Sequence, residues 1–248
     1  MYIIDATLSF QPSTPFISFP IAMNSSSTTL HATDGHSLSA HVARPAGTPK
    51  GYIVVVQEIF GVNSHVRSVA DRYAQAGYVA IAPALFDRVQ RGYESGYSQP
   101  EVAAGVELMK QLSFDNALLD VQAALAARPA DLAVGIVGYC YGGTVAWLAA
   151  RRQQGLAAAA CYYGGGIPGF IDERPACPTM LHFGIQDQSL PVEKAQEVAQ
   201  RHPQVASFFY EAGHGFNCEQ RSSYDEAAAA QAQERTLAFF GQHLSRPA

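Results

Sequence analysis

Residues 135–143 read Gly-Ile-Val-Gly-Tyr-Cys-Tyr-Gly-Gly, which sets Cys140 between Gly138 and Gly142 in a G-x-C-x-G pentapeptide. The apolar run Leu132, Val134, Ile136, Val137 before it has the pattern of a buried strand. The run Thr144-Val-Ala-Trp-Leu-Ala-Ala after it has the pattern of a helix. A cysteine at such a strand-to-helix turn is a nucleophile elbow with sulfur in place of oxygen: the turn strains the central residue, and glycines flank it because strand and helix come too close for side chains. The thiol is left at the carboxyl end of the strand, where the first N–H groups of the helix and its positive dipole end favour a thiolate or an oxyanion. Cysteine is also among the residue types most often buried for packing alone, but the two glycines and the strand–helix setting favour the nucleophile.

A free thiol has a pKa of about 8.5 and is mostly protonated at neutral pH, so it requires a base and a third group to orient that base. An elbow of this kind takes its acid and then its histidine from farther along the chain. His214 lies between two glycines in Phe208-Phe-Tyr-Glu-Ala-Gly-His-Gly-Phe, just beyond the last expected strand, and fits the base. Asp187 follows the strand pattern Thr179-Met-Leu-His-Phe and fits the acid, with Glu193 as the alternative. An aspartate there also serves as a helix cap or turn residue. The remaining histidines (31, 36, 41, 65, 182, 202 and 243) precede the elbow, lie inside a strand or sit near helix ends, and read as surface or structural imidazoles.

Elements that would position these groups can be traced along the chain. Leu38 to Ala43 alternates weakly, as an edge strand would, and Gly51-Tyr-Ile-Val-Val-Val-Gln is a β-branched run of the type buried on both faces. Val66 to Ala76 reads as a helix stopped by Gly77, and Tyr78 to Pro83 as the next strand. Residues 101–128 read as one long amphipathic helix. After the elbow, strands are expected at 157–163, 179–183 and 206–210, and helices at 192–200 and 225–243. This alternation is that of an open, mostly parallel α/β sheet with helices on both faces, whose sites gather at the carboxyl ends of the strands. The segment from Asp87 to Pro100, with Gly92, Tyr93, Gly96 and Tyr97, is the longest irregular stretch and is expected to cap the substrate.

Composition bounds the function. The chain has 248 residues, 48% hydrophobic and 15% charged, with a net charge of −5 and no block of like charge. That suits one globular catalytic domain acting on a small molecule, with no nucleic-acid or membrane partner, as a monomer or small homo-oligomer. Four cysteines (140, 161, 177 and 218) form no C-x-x-C pair, and no zinc-like spacing appears; no metal or cofactor is expected. A working free thiol favours a reducing compartment, hence the cytoplasm. Residues 1–22 hold no Lys or Arg, unlike a secretory signal, and read as an extension outside a single domain at 23–248.

Four motifs resemble the dienelactone hydrolase family, a cysteine-using branch of the α/β-hydrolase fold: Gln57-Glu-Ile-Phe-Gly-Val-Asn63, Gly138-Tyr-Cys-Tyr-Gly-Gly143, Gly184-Ile-Gln-Asp187 and Tyr210-Glu-Ala-Gly-His-Gly-Phe216. The first is the most specific of them. The resemblance implies that Glu58 interacts with the nucleophile and helps generate its thiolate, and that the backbone N–H groups of Ile59 and Tyr141 form an oxyanion hole. It further implies that Arg88 binds a substrate carboxylate and that Tyr162 and Tyr163 wall an aromatic pocket, with Phe60, Phe216 and Arg221 beside the substrate. One departure is that a second carboxylate-binding arginine of the family is replaced by Cys218, with Arg221 three residues on. The expected reaction is cleavage of an ester or enol-lactone through a Cys140–His214–Asp187 triad and an acyl-enzyme, most readily of a dienelactone (carboxymethylenebutenolide)-like substrate. The alternatives are a generalist carboxylesterase or thioesterase, and a non-catalytic or redox-responsive hydrolase-like protein. The complete set of nucleophile, base and acid and the missing resolving cysteine argue against the last.

Overall fold

A computed structural model describes residues 24–244. The expected extension at residues 1–22 lies outside them. Eight strands form one sheet in the order β1-β2-β4-β3-β5-β6-β7-β8. They are β1 (Asn24–His31), β2 (Ser37–Arg44), β3 (Tyr52–Val56), β4 (Val79–Pro83), β5 (Val134–Tyr139), β6 (Leu156–Tyr162), β7 (Thr179–Gly184) and β8 (Ala206–Tyr210). The pairs β1–β2 and β2–β4 are antiparallel and all others parallel. The long helices are α1 (Ser64–Gln75), α2 (Gln99–Gln111), α3 (Phe114–Ala126), α4 (Tyr141–Arg152), α5 (Val192–Arg201) and α6 (Glu226–Leu244).

The β-branched run at 52–56 is buried along its whole length because both faces of β3 are covered. Val54 and Val56 face the core shared with α3, α4 and α5, whereas Ile53 and Val55 face the core shared with α1 and α6. Alternation of side chains along each strand thus feeds two separate cores from one sheet. No helix among the described residues is long and apolar enough to cross a membrane.

Two expectations are corrected, and a third segment is seen to be anchored. The 38–43 strand is not at the edge, because Asn24–His31 pairs outside it. That outer strand, Asn-Ser-Ser-Ser-Thr-Thr-Leu-His, is exposed on both faces except at Leu30 and so carries no hydrophobic alternation to announce it. The long helix expected at 101–128 is two helices, broken where Leu112 turns extended and Ser113 caps α3 by accepting a hydrogen bond from the Asn116 N–H at 3.2 Å. The segment after Asp87 is pinned: the Asp87 carboxylate accepts from the Ser39 N–H, the Ser39 hydroxyl and the Gly92 N–H, and Glu94 bridges to Gly61.

His182, inside β7, is wholly buried. Its Nδ1 lies 2.8 Å from the Tyr210 hydroxyl and its Nε2 3.0 Å from the Thr236 hydroxyl. Burial, helped by the Arg235 charge, pushes its pKa from 6.5 down to about 3. The unfolded chain therefore takes up this proton near pH 6.5 and the folded protein only near 3. The contribution to stability is intact above 6.5 and is lost as the pH falls through that window. Thermal melts of wild type and His182→Gln should show a variant less stable at neutral pH that loses less of its midpoint on acidification. An equal acid loss in both proteins would contradict this.

Candidate active site

The elbow closes as the sequence pattern demands. Cys140 caps α4 with φ 56° and ψ −115°, a backbone region that side-chain-bearing residues rarely occupy. Its N–H donates to the Tyr162 carbonyl at 3.0 Å, and its own carbonyl accepts from the Gly143 and Thr144 N–H groups. A Cβ on Gly142 would stand 2.5 Å from the carbonyl oxygens of Val56 and Gln57, and one on Gly138 would collide with the Gly142 carbonyl. The first turn of α4 is thereby pressed against the ends of β3 and β5, with Cys140 on top.

Beyond β7 and β8 two loops converge on this point. His214 Nε2 lies 3.1 Å from Cys140 Sγ, and His214 Nδ1 lies 2.7 Å from Asp187 Oδ2. The other oxygen of Asp187 accepts from the Ser189 and Leu190 N–H groups at 2.7 and 3.1 Å, which fixes the carboxylate and directs Oδ2 at the imidazole. Burial opposes a charge on His214, but the neighbouring Cys140 and the hydrogen-bonded Asp187 together outweigh it and raise the pKa to about 10. Glu193, the alternative acid, lies away from the site on the first turn of α5.

Cys140 and His214 open into a cavity of about 370 Å³, also lined by Ile59, Tyr141, Thr144, Phe60 and Arg221. A large part of its wall is Val102, Val106 and Met109 from α2, with Phe114 from α3. Gly105 lets α2 sit directly on the Ile59 carbonyl, since a Cβ there would overlap that oxygen. The cap is thus helix α2 more than the expected 87–100 loop, of which Tyr97 contributes by packing on Phe60 at 4.6 Å and on Arg221 at 6.0 Å. The i, i+4, i+7 spacing of Val102, Val106 and Met109 was visible in the sequence, but a core-facing stripe has the same spacing.

The remaining expected residues divide. Ile59 and Tyr141 meet at the cavity beside Cys140. Phe60 and Arg221 also reach it. Glu58 is 1% exposed and is turned toward Arg221, with 3.4 Å between Oε1 and Nη1, while the Cys140 thiol faces His214. Arg88 does not face the cavity. Its Nε and Nη2 donate to both oxygens of Asp120 at 2.8 Å, and its outer edge reaches Asp34. An apolar helix face bearing one acid, Leu118-Leu-Asp-Val121, was the available sign of Asp120. Tyr162, Tyr163 and Phe216 are buried behind the site and do not line the cavity. Tyr162 hydrogen-bonds Thr236, and Tyr163, at φ 36°, sets its ring edge-on to His214 at 5.1 Å between centroids, with Phe216 packed behind it.

A mostly parallel sheet with a cysteine at the strand–helix turn after β5, an aspartate after β7 and a histidine after β8 has the layout of the α/β-hydrolase fold. Within that class the chain belongs to the dienelactone hydrolase family, whose model matches residues 38–244. It is 35% identical over 230 residues to the "Putative carboxymethylenebutenolidase" of Synechocystis sp., covering 84% of this chain and 92% of the relative. It is 33% identical over 221 residues to the carboxymethylenebutenolidase of Pseudomonas putida, covering 85% and 93%. The crystal structure of a "Putative Dienelactone Hydrolase" from Klebsiella pneumoniae superposes with a TM-score of 0.77 at 29% identity, over 89% of this chain and 99% of that one. The protein is a hydrolase of the dienelactone hydrolase type.

Asp120 has no exposed side-chain surface, and Arg88 is its ion-pair partner. Asp120→Asn should cost about 3 kcal/mol by leaving the guanidinium partly uncompensated, and lower the thermal midpoint by roughly 5–10 °C. The ratio of KM values for carboxylated and neutral substrates should stay unchanged. A shift in that ratio would return Arg88 to substrate recognition.

Proposed function

We propose that this protein cleaves esters and enol-lactones by covalent catalysis at Cys140, with an anionic, butenolide-like substrate read by Arg221. The observation that carries this reading is the unbroken series Cys140 Sγ, His214, Asp187, at 3.1 and 2.7 Å, on the floor of an apolar cavity.

In the proposed reaction the Cys140 thiolate attacks the substrate carbonyl carbon and a C–S bond forms. The carbonyl electron pair moves to oxygen, where the backbone N–H groups of Ile59 and Tyr141 receive it. As the tetrahedral intermediate collapses, the C–O bond to the alcohol or enol breaks and the departing oxygen takes the proton of the His214 imidazolium. Water then attacks the thioester, giving a proton to His214. The C–S bond breaks, the acid leaves, and the thiolate–imidazolium pair is restored. Asp187 keeps the imidazole oriented throughout. No step calls on a cofactor.

For recognition, the sequestration of Arg88 by Asp120 and Asp34 leaves Arg221 as the cation that lines the cavity among the described residues. Glu58 anchors it from behind, and the Phe60 ring lies 5.6 Å from the guanidinium. The same lining supports a second reading, a generalist esterase: Val102, Val106, Met109 and Phe114 offer an apolar acyl or aryl group a larger surface than Arg221 offers an anion.

Kinetics on a dienelactone and a neutral aryl ester separate these readings. Cys140→Ala should lose about a thousandfold or more on both substrates. Arg221→Met should lower kcat/KM for the lactone about tenfold more than for the ester, as expected for a lost charged hydrogen bond. Equal losses for the two would favour the generalist esterase, and activity that survives Cys140→Ala would end the cysteine mechanism.

A further inference from the structure

Beside Arg221, Glu58, His65 and Cys218 meet. Each offers a metal-ligand atom, and these atoms lie within 4.8 Å of one another. They come from three separate places in the chain: the end of β3, the first turn of α1, and the loop after β8. All three are buried, with relative exposures of 1%, 1% and 0%. Glu58 Oε2 is buried without any hydrogen-bond partner, and His65 Nε2 has no oxygen or nitrogen partner, only the Cys218 thiol beside the ring. A buried carboxylate oxygen left unpaired is costly. Such an oxygen beside an imidazole and a thiol calls for a ligand.

We infer that Glu58 Oε2, His65 Nε2 and Cys218 Sγ form a binding site for a borderline-soft divalent cation of the zinc type. Thiolate, imidazole and carboxylate are the donors such an ion takes, and three of them leave a fourth position open. The imidazole is already oriented for ligation. Its Nδ1 lies 2.9 Å from Glu219 Oε2, the carboxylate–histidine support that fixes a ligating tautomer. With Nδ1–H donated to Glu219, Nε2 presents its lone pair. Binding releases the thiol proton of Cys218, and the negative charges of Glu58, the Cys218 thiolate and Glu219 offset the cation together with Arg221. Tetrahedral contact would take Zn–S of about 2.3 Å and Zn–N of about 2.0 Å.

The site is distinct from the Cys140–His214–Asp187 series and shares no side chain with it. It ties the loop that carries Arg221 to α1 and to the strand end that carries Ile59. The ion is thus a clip on the pocket wall and takes no part in the chemistry proposed above.

The experiment is metal analysis of protein purified from zinc-supplemented cells and dialysed against a weak chelator, followed by exchange of the metal for cobalt(II). Wild type and Cys140→Ser should both retain about one zinc per chain, and both should show the sulfur-to-cobalt charge-transfer band. Cys218→Ala and Cys218→Ser should lose both while still melting cooperatively. Glu219→Gln should weaken zinc binding about 10- to 100-fold through the orientation of His65. Wild type that stays free of metal under saturating zinc overturns the inference. So does metal retained by Cys218→Ala and lost by Cys140→Ser, which would put the ion on the nucleophile. If both Cys218 variants fail to fold, a charge-transfer band retained in Cys140→Ser and abolished by His65→Gln supports the site, and one indifferent to His65 overturns it.

Discussion

The whole arrangement depends on how closely the first turn of α4 can be pressed against the sheet. The carbonyls of Val56 and Gln57 leave no room for a Cβ at position 142, and the Gly142 carbonyl leaves none at 138. Only with both occupied by glycine can Cys140 adopt its positive φ and hold its thiol above the strand ends. If α4 sat farther out, Cys140 would no longer meet His214, whose own place is fixed by the loop that leaves β8. Tyr141, from the helix, and Ile59, from the end of β3, line the same cavity beside Cys140. A steric condition on two glycines therefore sets a distance between groups 74 residues apart in the chain.

Around this point buried charge is managed by pairing. His214 faces Asp187, Arg221 faces Glu58, and Arg88 is gripped by Asp120. Removing one member of such a pair strands the other in a poorly solvated place, which costs far more than the pair contributes in the intact protein. The pairing has a functional side. A guanidinium that spends four of its five N–H donors on carboxylates of its own chain has little left for a ligand, so Arg88 ties elements together where its place in the sequence suggested recognition.

Much of this was legible in the chain. The elbow, the histidine loop and the acid loop announced themselves because glycines and strand–helix alternation are local signals, and the β-branched run at 52–56 told of a strand covered on both faces. What escaped detection lacked a local signature. The outer strand Asn24–His31 is polar on both faces and looks like a tail. The break at Leu112–Ser113 lies within a continuous helical pattern, where a serine cap competes weakly with its neighbours. The partnership of Arg88 with Asp120 spans 32 residues and depends on how α3 packs, which no spacing rule encodes. The withdrawal of Tyr162, Tyr163 and Phe216 behind the site has the same origin: residues that follow a strand end can face either side of the wall they build.

Chemistry and shape are carried by different parts of this molecule. The groups proposed to react stand on strand ends and on the loops that leave them, held by backbone hydrogen bonds and glycine contacts. Val102, Val106 and Met109, by contrast, project from a single helix that lies over the cavity and touches the sheet through its Gly105 seat. Substitutions along that one stripe alter the volume and contour of the cavity through side chains that belong to neither the strand–helix turn of Cys140 nor the loops of Asp187 and His214. Inheritance can therefore act on preference and on reactivity as separable traits, and such a division lets descendants of one scaffold explore new substrates while remaining competent catalysts at each step.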